Sequence, residues 1–242
     1  MMKAMIFAAG LGTRLRPLTN NKPKALVEVN GTPMLGLLIS KLKQSGFDTI
    51  VINVHHFAPL IKEYLHANNC FGIEIHISDE SNLLLDTGGG LMFARKFFDD
   101  GESFLLHNVD IYSDINLNEI INFHRTSGNL VTLAVKQRPS SNYLIFDDRG
   151  LLCGWKSIKT GEEKISRKIT VRNELAFSGI HVIDPKLFKL IGKQGAFGII
   201  GEYLRLAATE ALGAFVHNDN QIIDLGKPEA IAEAEAILAN KI

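Results

Sequence analysis

The sequence carries no excess charge: Lys plus Arg and Asp plus Glu both number 26 in 242 residues. A balanced chain has no general affinity for nucleic acid or an anionic membrane, so any anion site has to be local. Cysteine is scarce. Cys70 and Cys153 lie far apart, form no metal-type pair and read as free thiols of a reducing cytoplasm. No apolar run approaches transmembrane length. The opening MMKAMIFAAG has one lysine and too short an apolar run for a signal peptide, and a Gly/Arg loop interrupts it where cleavage would fall. A cytoplasmic protein is expected, with no nucleic-acid or membrane partner. No Pro-, Gly- or Ser-rich linker, solenoid-period repeat or hexapeptide β-helix appears, which predicts one domain over 1–242. Zinc spacings such as HExxH are missing, and His55–His56 reads as a loop pair. The FSG at Phe177–Gly179 is not a G-x-S-x-G elbow, so Ser178 is no hydrolase nucleophile.

What is present is alternation. KAMIFA, DTIVINV and ESFLLHNVD read as buried strands, PMLGLLISKLKQSG, APLIKEYLHANN and NLNEIINFHRTSG as helices. This βαβα rhythm predicts a Rossmann-like three-layer α/β/α fold with a mixed, mainly parallel sheet. After Lys136 the pattern changes, dividing a first half, 1–136, from a second, 137–242. YLIFDDRGLLCGW reads as a hairpin turning at Asp147–Gly150. The charged segment that follows it, 156–172, reads as a flap or an extended hairpin. KPEAIAEAEAILANKI reads as a closing helix.

The first strand runs into FAAGLGTRLRPLTNNKPKAL, a stretch both glycine-rich and basic. Gly10 and Gly12 permit a tight turn whose backbone N–H groups face an anion. Two common phosphate loops are excluded. The third position of a dinucleotide fingerprint is Leu15, and Thr13–Arg14 stands where a Walker loop needs G-K-[ST]. The positive charge comes from side chains instead. Arg14 can grip terminal phosphate oxygens in a forked geometry, and Lys24 can act as a mobile point charge at a reacting phosphate.

Two acids stand at strand ends, Asp110 in HNVD and Asp224 in QIIDLG. Each is either a cap or turn residue, or a hard-oxygen ligand suited to Mg²⁺. With a phosphate loop nearby, the pair fits metal-assisted phosphoryl transfer. Gly88–Gly90 in LLLDTGGGL admits two readings: close approach of a flat base to the backbone, or a helix start packed tightly on the sheet. Asp79 and Glu80, read as exposed loop acids, are given no role.

The stretch AAGLGTRLRPLTNNKPKALVEVNGTPML resembles the signature of the sugar-1-phosphate nucleotidyltransferases, [AG]-x-G-T-R-[LM]-x-P-x-T followed by P-K-x-[LM]. LLLDTGGGL, NVD, LAFSGIHVI and IIDLGKPEAIAEAE continue the resemblance in order. Within the family the chain is similar to N-acetylmuramate-1-phosphate uridylyltransferases and to proteins labelled mannose-1-phosphate guanylyltransferases. The resemblance implies an enzyme joining a nucleoside triphosphate to a sugar 1-phosphate with release of pyrophosphate. UTP with N-acetylmuramate 1-phosphate is the expected pair, in cell-wall sugar recycling. GTP with mannose or heptose 1-phosphate is the alternative, and a non-catalytic nucleotide-sugar sensor an alternative of another class. It implies catalytic Arg14, Lys24 and Asp110, and Mg²⁺ on Asp110 and Asp224. Nucleotide contacts are implied at Ala8, Ala9, Gly10, Leu11, Gly12, Thr13, Arg14, Lys24, Gly88 and Asn108. Sugar contacts are implied at Asn142, Lys156 and Gly179, with Trp155 read as core. Val109 departs from the family's G-D, and Asn142 stands where an acid is often found. The oligomeric state, monomer or homodimer, stays open.

Overall fold

A computed structural model describes residues 2–169 and 171–239. Its strands are β1 (Lys3–Phe7), β2 (Glu28–Val29), β3 (Thr32–Pro33), β4 (Thr49–Val54), β5 (Glu74–Asp79), β6 (Phe104–Asn108), β7 (Ile111–Ser113), β8 (Val131–Lys136), β9 (Asn142–Phe146), β10 (Leu152–Ser157), β11 (Glu163–Ile165), β12 (Asn173–Ile183), β13 (Leu212–Val216) and β14 (Ile222–Asp224). Its α-helices are α1 (Met34–Gln44), α2 (Ala58–Ala67), α3 (Asp86–Phe93), α4 (Leu117–Ser127), α5 (Leu187–Leu190), α6 (Ile199–Leu206) and α7 (Pro228–Ala239).

Ten strands form one sheet in the order β11-β10-β9-β12-β6-β1-β4-β5, with β8 also on β12 and β13 on β8. β4 is buried at every position and β1 at its three middle ones, as strands covered on both faces must be. Their side chains alternate between two cores. Ala4, Ile6, Ile50, Ile52 and Leu105 join residues of α1, α2, α4 and α7 on one face. Met5, Val51, Phe104 and Leu106 join residues of α3, α5 and α6 on the other. The three layers are those expected. The parallel share of the sheet is smaller. Four pairings are parallel (β1–β4, β1–β6, β4–β5, β8–β13) and five antiparallel, all involving β9, β10 or β12. The strand–helix rhythm stops after β8, and without a crossover helix successive strands turn back as hairpins.

Local signals act where they stand. Asn116 caps α4 by accepting from the Asn118 amide at 3.1 Å, and Gly128 ends it at φ 68°. β9 and β10 form the hairpin through Asp147–Gly150, and β11 extends it by pairing with β10. Of the charged segment, the part up to Ile165 extends the hairpin, Arg172 bonds Glu163 and Glu174, and Thr170 lies outside the described residues. Among the described residues, no helix is long and apolar enough to cross a membrane.

The parallel strands β1, β4, β5 and β6 all end at one edge, where folds of this kind present ligands. Phe7 pairs with both Asn53 and Asn108, which brings three strand ends into one row.

Candidate active site

The basic loop leaves β1 as a chain of tight turns. Gly12 takes the left-handed conformation (φ 65°), and its carbonyl accepts from Thr19 Oγ1 at 2.9 Å and from the Leu15 amide at 2.9 Å. A Cβ at Gly12 would lie 3.0 Å from both Lys24 Cβ and Thr19 Cγ2. The glycine is therefore what lets the loop fold onto Lys24. Among the described residues, the amides of Gly10, Leu11 and Gly12 donate to no protein acceptor. The Thr19 hydroxyl and the Leu15 and Leu18 amides hold the turn while these amides stay available to an anion.

A cavity of about 400 Å³ opens beside the loop. Ala8, Ala9, Gly10, Lys24, Asn108 and Asp110 line it, all expected nucleotide or catalytic residues. Asn53, Glu80, Asp86 and Thr87 line it as well. Lys24 Nζ donates to Asp110 Oδ2, an ion pair between two largely buried groups.

The second acid arrives by a long-range pairing. β14 pairs with β7 so that Asp224 faces Ile111, and the Leu225 amide donates to the Asp110 carbonyl at 2.8 Å. A Cβ at Gly226 would stand 2.7 Å from Asp224 Oδ1, 2.9 Å from Arg14 Nη2 and 3.2 Å from Asp110 Oδ2. Two carboxylates and a guanidinium thus converge on a point that only a glycine leaves open. Among the described residues no group of three or more His, Cys, Asp or Glu gathers for a metal. Two hard carboxylates fit Mg²⁺, which completes its coordination with water and substrate phosphate. Val109, the departure from the usual glycine, is buried and its amide donates to the Phe7 carbonyl at 3.1 Å.

Glu80 and Asn53 are residues that sequence reasoning passed over. Glu80 is 3 % exposed, the opposite of a solvated loop acid. It accepts from Asn53 Nδ2 at 2.8 Å and from the Leu85 amide at 3.2 Å, while Asn53 Oδ1 accepts from the Ala8 amide at 2.7 Å. Burial pushes its carboxyl up, against the lowering effect of these hydrogen bonds. The available signal was register: Asn53 lies opposite Phe7, and Glu80 directly follows β5.

Gly88 does not line the 400 Å³ cavity. A Cβ there would meet Phe197 Cε2 at 2.2 Å and the Phe197 carbonyl at 2.8 Å, and its amide donates to that carbonyl at 2.8 Å. Gly88 thus packs α3 tightly against the Phe197 segment, the second of the two readings. Gly88→Ala should therefore destabilise the protein by about 1–3 kcal/mol through overpacking. This outweighs the roughly 1 kcal/mol that alanine gains over glycine in a helix. Thermal unfolding checks this, and an unchanged midpoint would show that Phe197 moves aside freely.

On the second half, a cavity of about 260 Å³ holds Asn142 with Tyr143, Trp155 and Phe177. Trp155 packs partly buried against the second core, as expected, and also forms a wall of this cavity. Lys156 is not brought there. In the β9–β10 register Asn142 faces Ser157 and Leu144 faces Trp155, so the pleat turns Lys156 to the opposite face. There it reaches Glu174 at 3.4 Å, within the Arg172–Glu163–Glu174 cluster. Gly179 sits at an irregularity in β12 with φ 70°, and a Cβ there would meet Asn108 Nδ2 at 2.8 Å. It backs Asn108 and lines neither cavity. Ser178 is fully buried and bonds His217 Nε2 at 2.7 Å, out of reach of any substrate.

A family model described as nucleotidyl transferase matches residues 3–241. The chain is 32% identical over 245 residues to the N-acetylmuramate alpha-1-phosphate uridylyltransferase of Caulobacter vibrioides, covering 98% of this chain and 96% of that protein. It is 30% identical over 259 residues to the UTP–glucose-1-phosphate uridylyltransferase of Synechocystis, covering all of this chain but only 64% of that protein. In fold it matches HddC from Yersinia pseudotuberculosis complexed with GMP-PN, with a TM-score of 0.80 and 22% identity, over 98% of this chain and 100% of that one. The chain belongs to the nucleotidyl transferase family, alongside the sugar-1-phosphate nucleotidyltransferases to which it is similar.

Proposed function

We propose that this enzyme joins UTP to N-acetylmuramate 1-phosphate, giving the UDP-sugar and pyrophosphate. The observation that carries the chemistry is the convergence of Arg14, Asp110 and Asp224 at Gly226, with Lys24 ion-paired to Asp110 beside the open amides. The choice of substrate is supported by likeness to an N-acetylmuramate enzyme over nearly the full length of both chains.

An oxygen of the acceptor phosphate attacks the α-phosphorus of UTP, the bond to the β-phosphate breaks, and pyrophosphate leaves. The attacking phosphate is already ionised, so no general base is required, and the protein's task is positioning and charge stabilisation. The loop amides and Arg14 hold the triphosphate, with Arg14 on the part that departs. Lys24, still paired with Asp110, also donates to an oxygen of the α-phosphate and stabilises the charge that builds there. Asn108, backed by Gly179, and the Glu80–Asn53 pair form the nucleotide wall. Asp110 and Asp224 would hold Mg²⁺, which when bound supplies neutralisation of phosphate charge. In this reading residues 1–136 bind the nucleotide and 137–242 the sugar.

A panel of UTP, GTP, CTP and dTTP against N-acetylmuramate, mannose, heptose and glucose 1-phosphates, read by pyrophosphate release, tests the proposal. UTP with N-acetylmuramate 1-phosphate is expected to give the highest kcat/KM. GTP with mannose or heptose 1-phosphate leading would replace that pair. Nucleotide binding without pyrophosphate release from any pair would favour a sensor.

A further inference from the structure

With Lys156 turned away, the acceptor's phosphate needs another cation. A cavity of about 670 Å³ is lined by Asp224, Arg14, Arg138 and Lys227, with Glu229 and Glu233 of α7 also in its wall. Arg138 follows β8 and is half-buried. Its Nη2 donates to the Phe177 carbonyl at 3.2 Å, and Nη1 reaches only the adjacent Pro139 carbonyl at 3.5 Å. Its Nε is buried and has no acceptor. Among the described residues neither Arg138 nor Lys227 pairs with a carboxylate, Glu229 and Glu233 included. A guanidinium that lines an open cavity without a carboxylate partner suits a phosphate, whose oxygens accept N–H bonds from its planar fork.

Position selects which phosphate. Ser140 and Phe177 line both this cavity and the smaller one holding Asn142 and Trp155. The two are therefore neighbours across these shared walls. A phosphate at Arg138 has Asp224 on one side and a pocket walled by Phe177 and Trp155 on the other, suited to a pyranose whose C–H faces lie against aromatic rings. We infer that Arg138, aided by Lys227, binds the phosphate of the incoming sugar 1-phosphate, with the sugar ring seated between Asn142 and Trp155. This rests on the nucleotidyl-transfer reading and names the acceptor subsite within it.

The test compares Arg138→Gln, Arg138→Lys, Lys227→Met and Lys156→Met with the parent enzyme in forward and reverse reactions. Calorimetric titration with N-acetylmuramate 1-phosphate and mannose 1-phosphate, without nucleotide, is run alongside. Arg138→Gln is expected to raise KM for the sugar phosphate about tenfold or more, through loss of a forked charge-assisted contact, while KM for UTP stays within about twofold. Arg138→Lys should recover part of the loss, because charge returns without the fork. Lys227→Met, on an exposed side chain that cannot unfold the protein, should raise the same constant less. Lys156→Met should leave it unchanged. Unaltered sugar-phosphate KM and affinity in both Arg138→Gln and Lys227→Met would overturn the assignment. So would a selective rise in KM for pyrophosphate in the reverse direction, which would give these cations to the leaving group. If no pair releases pyrophosphate, the function proposed above fails. The titrations still decide this inference: sugar-phosphate binding lost in Arg138→Gln upholds it, and no binding by the parent protein overturns it.

Discussion

Lys24→Ala is expected to depress kcat by about a hundredfold or more, the scale on which one preorganised charge contact at a transition state acts. UTP binding should change far less. The ammonium is largely buried, paired with Asp110 in the wall of the 400 Å³ cavity, while in the proposed mechanism the amides of Gly10, Leu11 and Gly12 and the Arg14 guanidinium remain to hold the triphosphate. Removing Lys24 therefore withdraws stabilisation mainly where charge develops during the reaction. Steady-state kinetics with direct UTP titration separates the two effects. A raised KM with unchanged kcat would show uniform binding and refute a transition-state role for Lys24.

Asp110→Asn should lower turnover by a comparable factor, about a hundredfold, and raise the Mg²⁺ concentration needed for half-maximal rate, because one of two hard anionic ligands is lost. The substitution is nearly isosteric and the Asp110 backbone keeps its bond from the Leu225 amide, so the β7–β14 ribbon should hold Asp224 in place. Unchanged metal dependence would remove Asp110 from the site. The two losses should not add. Lys24 and Asp110 are direct partners, so the double variant should lose clearly less than the product of the two factors. Fully multiplicative losses would mean that the ion pair has no part in the working enzyme.

Much of this was readable in the chain. The glycines and basic residues of the loop, the acids at two strand ends, and the caps of α4 are local signals, set by what one residue does to its own backbone or by the charge it carries. The failures are non-local. Glu80 looks like a loop acid until β5 is placed beside β4, whose Asn53 then meets it. Gly88 looks like a nucleotide contact until Phe197, more than a hundred residues later, fills the space above it. Lys156 follows Trp155 in a plausible sugar-binding order, but a strand turns neighbours to opposite faces, and only pairing with β9 shows which face lines the cavity.

The sequence by itself determined the layered α/β architecture, the glycine-rich basic loop and the identity of its charges. These depend on period, turn chemistry and residue type, all properties of short segments. Tertiary structure alone decided how the charges meet. Asp110 and Asp224 lie more than a hundred residues apart and come within reach of Arg14 through the β7–β14 pairing, around a glycine whose missing side chain keeps the space open. Pairing register and packing contacts join segments distant in the chain, and no local pattern encodes which partner a strand end will face.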